Sequence, residues 1–185
     1  IQRFVVDTHK PEFTIIPPSS VSFNHVYLTK ESSVDVGLSL ISEDDIKEVW
    51  IGSTKVTSLP YSVAVSVSST VKTVSLTAID RAGNRWSDSV SVRRDNEIPE
   101  INLITPLDGN KTNNLNLIIS GTYSDDYLDL LTLGEDLSSP IEITTGYFAD
   151  SVFFWRAATL SSGDGDKRIS ATGVDRVGNS FTTPV

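Results

Sequence analysis

The chain has 185 residues, 38% hydrophobic and 21% charged; this length allows one large or two small domains, and the composition excludes a disordered tail. Its 24 acidic and 15 basic residues give a net charge of −9, which repels phosphate backbones and anionic lipid and argues against nucleic acid as a partner. The sequence contains no Cys, which excludes thiol catalysis, disulfides and thiolate metal sites, and no apolar run approaches the ~18 residues that membrane insertion of this segment would need.

The chain starts at IQRFVV and contains no Met, so it reads as a piece of something longer. The predicted elements then follow as short strands. VDVGLSL places Val34, Val36, Leu38 and Leu40 on one face, YSVAVSV does so with Val63, Val65 and Val67, and KTVSLTA with Val74, Leu76 and Ala78. After AIDRAGNRW (78–86) and RRDNEIPEI come LNLIIS, with Leu115, Leu117 and Ile119 on one face, and KRISATGV, with Ile169, Ala171 and Gly173. Ser and Thr fill the opposite faces, as antiparallel sheets wet on one side require. DDYLDLLTLGEDL is the one stretch that passes for a helical turn. Short strands separated by Pro, Gly, Asn and Asp argue for β-sandwiches.

The chain also aligns on itself. Asp7, Pro11, Ile16 and Pro18 match Asp95, Pro99, Ile104 and Pro106; Ser42, Asp44, Ile46 and Gly52 match Ser124, Asp126, Leu128 and Gly134; and the pentamer Asp-Arg-X-Gly-Asn occurs at Asp80 and again at Asp175. Three blocks in the same order indicate two repeats.

These blocks resemble the tandem bacterial immunoglobulin-like (Big-type) modules of large secreted and surface-attached proteins. The resemblance lies in the Asp95–Pro99 linker, TPLDGNKTNN, the GTYSDD corner, and the closing turns TAIDRAGN and ATGVDRVGN, with Val177 in place of the usual small Ala. It implies an all-β chain of two tandem immunoglobulin-like β-sandwich domains, 1–94 and 95–185, at the cell surface or outside the cell. Such a segment would be non-catalytic, a spacer, stalk or adhesion module joined to further modules of a parent chain. An alternative is a carbohydrate-binding or accessory module of a polysaccharide-degrading enzyme.

In that topology the pentamer is the loop of the last hairpin, where Asp accepts backbone N–H bonds and Gly supplies a positive φ. The same pole gathers carboxylates: Asp95, Glu97, Asp125, Asp126 and Asp175 in the second repeat, and Asp7, Glu43, Asp44, Asp45 and Asp80 in the first. A Ca²⁺ ion at the domain junction would screen them, with oxygens of Asn96 and Asn179 added, although GDGDKR is too short for an EF-hand loop. The alternative is plain turn chemistry.

A second candidate is GYFADSVFFWRAATL, where an exposed Phe154 or Trp155 beside Tyr147 would stack on a sugar ring or a partner protein. In a strand, Phe153 and Trp155 point one way and Phe154 and Arg156 the other; core packing is the competing role. His9 and His25 show no metal spacing, no Gly-X-Ser-X-Gly elbow is present, and NKT (110–112) reads as a turn.

Overall fold

The computed structural model describes residues 2–41, 45–144 and 152–184. They are all-β, with no helix among them. The chain divides into two compact units, Ile1–Asn96 and Glu97–Val185.

The first unit contains β1 (Phe13–Ile16), β2 (Val21–Phe23), β3 (Val26–Thr29), β4 (Ser33–Leu40), β5 (Ile46–Ile51), β6 (Thr54–Val56), β7 (Tyr61–Ser66), β8 (Lys72–Asp80) and β9 (Arg85–Arg94). They form two sheets, ordered β1-β4-β7 and β2-β3-β9-β8-β5-β6. Alternation places Val34, Val36, Leu38 and Val65 of one sheet against Val49, Ile51, Val74, Leu76, Ala78, Val90 and Val92 of the other, in one buried cluster. Each fully buried aliphatic side chain there contributes about 1.5–3 kcal/mol relative to exposure.

The second unit contains β10 (Glu100–Thr105), β11 (Asn116–Ser124), β12 (Leu128–Glu135), β13 (Ile141–Thr144), β14 (Val152–Thr159), β15 (Ile169–Asp175) and β16 (Ser180–Thr182). Its sheets are β10-β11-β14 and β13-β12-β15-β16. Ile101, Ile119, Tyr123 and Phe154 of one sheet share a core with Leu128, Leu131, Leu133, Ile143 and Ala171 of the other. The stretch read as a possible helical turn is strand β12, because Leu131 and Leu133 are inward-facing at period two and fully buried.

The repeat has a structural signature. Each unit carries a β-bulge at an aligned position, Ile46/Glu48 opposite Asp80 in one and Leu128/Leu130 opposite Asp175 in the other. In each, the Arg N–H of the pentamer bonds across to the bulged strand's approach, Arg81 to Asp45 O and Arg176 to Tyr127 O, both at 2.9 Å. The first unit adds a hairpin without a counterpart among the described residues of the second: β2 and β3 turn through Asn24 and His25, both at positive φ, and β3 runs parallel to β9.

Candidate functional site

The pentamer is the loop joining β8 to β9 and β15 to β16. Asp80 and Asp175 occupy the last core-facing positions of their strands and are each only 3% exposed, so their carboxylates must be satisfied internally. The loop does this itself. Asp80 accepts from the Asn84 backbone N–H at 2.8 Å and from its side-chain amide at 2.9 Å. Asp175 accepts from the N–H groups of Val177 and Asn179 and from the Asn179 amide, at 2.9, 2.7 and 2.6 Å. Gly83 and Gly178 supply positive φ values of 95° and 84°. Burial alone would raise the Asp80 pKa; hydrogen bonds from the Asn84 side chain and from the backbone of Asn84, Gly83 and Ala82 outweigh it and hold it below the ordinary 3.8.

The other sequence-selected carboxylates are dispersed in role. Asp7 accepts from the His9 N–H at 3.0 Å, and its carbonyl accepts from the Asn84 amide at 3.1 Å. Asp125 accepts from the Tyr127 N–H at 2.6 Å, while Asp126 and Glu97 are exposed. Asp95 belongs to the first unit, where its N–H bonds to Thr29 O at 2.8 Å, rather than to the second repeat with which the sequence grouped it. Asp44 and Glu43 lie outside the described residues. Among the described residues, no group of three or more His, Cys, Asp or Glu side chains is arranged to hold a metal. The loop bonds just described occupy both carboxylate oxygens of Asp80 and of Asp175 and account for the burial of these side chains without an ion.

The first unit's larger sheet carries a polar cluster on its outer face. The Trp50 indole N–H donates to Glu48 Oε2 at 3.0 Å, and Lys55 Nζ lies 3.1 Å from Glu48 Oε1 and 6.0 Å from the Trp50 ring. The Trp50 indole hydrogen bond, then that of Lys55, hold the Glu48 pKa below 4.5. Stability from this contact is therefore present above pH 4.5 and lost as pH falls through the depressed value. In an NMR titration the Trp50 indole proton should shift with a midpoint below 4.5, and Glu48→Gln should abolish that shift.

The strongest candidate for binding is the outer face of sheet β10-β11-β14. Phe153 and Trp155 are 57% and 59% exposed on edge strand β14. Phe153 sits beside Thr122 and, one strand further, Asn102; Trp155 sits beside Ser120 and then Thr105. A bulge at Leu103/Thr105 breaks the alternation of β10, so that half-buried Thr105 follows exposed Ile104 in sequence. Thr105 Oγ1 and Ser120 Oγ share a hydrogen bond of 2.7 Å, and Ile118 is also exposed. Two residues along a strand are about 6.8 Å apart, so the two aromatic side chains stand side by side.

Phe154 corrects the sequence expectation. It is 4% exposed, opposite Gly121, and its ring stacks with Tyr123 at a centroid distance of 6.3 Å; strand parity commits it to the core, and Phe153 takes the outward place beside Trp155. Tyr147 lies outside the described residues.

At the β10 edge of this sheet a cleft of about 580 Å³ is lined by Ile98 to Asn102, by Thr122 to Ser124 and by Phe181, within the usual size range of ligand pockets. Burial raises the Tyr123 phenol above its ordinary 10.0. Sequence reasoning missed this cleft, whose walls come from three separated strands.

No helix among the described residues is long and apolar enough to cross a membrane. No family model matches the chain, and no curated protein matches it. Among solved structures it is similar to SGBP-B of the Bacteroides ovatus mixed-linkage glucan utilization locus, in complex with a mixed-linkage heptasaccharide, at 12% identity and a TM-score of 0.33. The alignment covers 95% of this chain and 46% of that one, so the chain spans a little under half of that protein's length.

Proposed function

We propose that this chain is a non-catalytic segment of a larger extracellular or cell-surface protein, built of two tandem immunoglobulin-like β-sandwiches, whose second unit binds a glycan on the outer face of β10-β11-β14. The carrying observation is the exposed pair Phe153 and Trp155, set among hydroxyl and amide side chains. Aromatic faces stack on the C–H faces of sugar rings, and neighbouring polar groups bond to sugar hydroxyls. The immunoglobulin-like assignment is supported by the strand partition: among the described strands of the second unit the first, second and fifth form one sheet and the third, fourth, sixth and seventh the other.

A spacer role is the second reading. It rests on the duplicated bulge and hairpin, which fit a serially repeated module.

The test is capture of the full chain on a polysaccharide array, with the double variant Phe153→Ala/Trp155→Ala beside it. The expected result is capture by the native chain and a loss of about 30-fold in the variant, with an unchanged melting temperature because both rings are exposed. If the native chain binds no glycan, the spacer reading stands alone.

A further inference from the structure

We infer that the aromatic pair and the cleft beside Pro99 and Phe181 are two ends of one site, which takes a neutral polysaccharide lying across the strands; this rests on the glycan reading above. The register sets the path. Phe153, Thr122 and Asn102 form one outward row across β14, β11 and β10, and Thr122 and Asn102 also line the cleft. With strands about 4.8 Å apart, the row spans about 10 Å from the Phe153 backbone to that of Asn102. The platform therefore leads into the cleft with no change of row. A chain running along β14 instead would reach the cleft only by turning.

Charge selects the class of glycan. Phe153, Trp155, Thr122, Ser120, Asn102 and Thr105 are all uncharged, and the cleft adds a single carboxylate, Glu100. Arg156 has the opposite strand parity, and its guanidinium Nη1 donates to the carbonyl of Trp155 at 2.8 Å. On a chain of net charge −9, a uronate or sulfated glycan would meet repulsion and no cation in the row. A neutral one meets hydroxyl and amide partners, and Glu100 can accept from its hydroxyls in charge-assisted bonds.

The experiment presents the full chain to immobilised neutral, uronate-rich and sulfated polysaccharides at low and high salt, then measures calorimetric affinity for oligosaccharides cut from whichever polysaccharide is captured. Expected are capture by a neutral polysaccharide only, capture that changes less than about twofold with salt, and affinity that climbs with oligosaccharide length. Asn102→Ala/Thr122→Val should weaken binding about tenfold at an unchanged melting temperature. Capture by an anionic polysaccharide that salt abolishes would overturn the neutral class while leaving glycan binding in place. Native affinity in Asn102→Ala/Thr122→Val, with loss in Trp155→Ala, would confine the site to the platform and overturn the joined site. No capture at all would overturn the glycan reading itself.

Discussion

Gly121→Ala is expected to unfold the second unit. A β-carbon built at this position collides with the backbone carbonyl of Asn102 and lies 2.7 Å from the Phe154 ring. Real β-carbons do not approach backbone oxygen so closely, and neither obstacle is the loose end of a flexible side chain. Relief requires β10 to move away from β11 or Phe154 to leave its stack with Tyr123, and either disrupts the core built on Ile119, Leu131 and Leu133. We expect a cost of about 3 kcal/mol or more. Amide exchange on the full chain checks the location: protection should fall in β11 and β14 while β8 of the first unit keeps its own.

Two comparisons make the cause specific. Gly134 of β12 has only the Ser170 hydroxyl within 4.0 Å of a built β-carbon, so Gly134→Ala should be neutral or stabilise by up to about 1 kcal/mol. Phe154→Leu added to Gly121→Ala removes the ring but not the Asn102 carbonyl, so recovery should be at most partial. Full recovery would show that the ring alone demanded glycine.

Most of the strand pattern was legible because burial follows period two: Val34, Val36 and Leu38, and again Val74, Leu76 and Ala78, are inward and buried as their alternation required. The β2–β3 hairpin was not read. Asn24 and His25 between two short apolar runs were its only local signal, and the parallel pairing of β3 with β9 joins residues more than 60 positions apart, beyond any local period. The site was half legible. FFW at 153–155 announces exposed aromatic surface, but three consecutive large rings do not say which face is the core. Gly121 on the neighbouring strand decides it, because only a residue without a side chain leaves room for the Phe154 ring. The cleft could not be read at all, since Pro99, Tyr123 and Phe181 meet only after both sheets form.

Asp175→Ala is the second large effect expected, and it separates the architectural role of the pentamer from a role in ion binding. The substitution strips acceptors from the N–H groups of Val177 and Asn179 and from the Asn179 amide, at a position 3% exposed. Each buried donor left unpaired costs about 1–3 kcal/mol, and water reaches part of this loop, so a total near 2–4 kcal/mol is expected. Asp175→Asn keeps one carbonyl oxygen for the two backbone donors but turns an amide toward the Asn179 amide, and should cost less. In a double-mutant cycle, Asp175 and Asn179 should couple by at least about 0.5 kcal/mol. The first unit supplies the pH arm. Because the Asp80 pKa is depressed below 3.8, its contribution is present above pH 3.8 and vanishes as pH falls through the depressed value; the acid sensitivity of native melting should be blunted in Asp80→Asn. A loop that serves only as architecture gives these results identically with chelator or with millimolar Ca²⁺. If Ca²⁺ instead raises the native melting temperature and Asp175→Ala erases that increment, the carboxylate is a ligand.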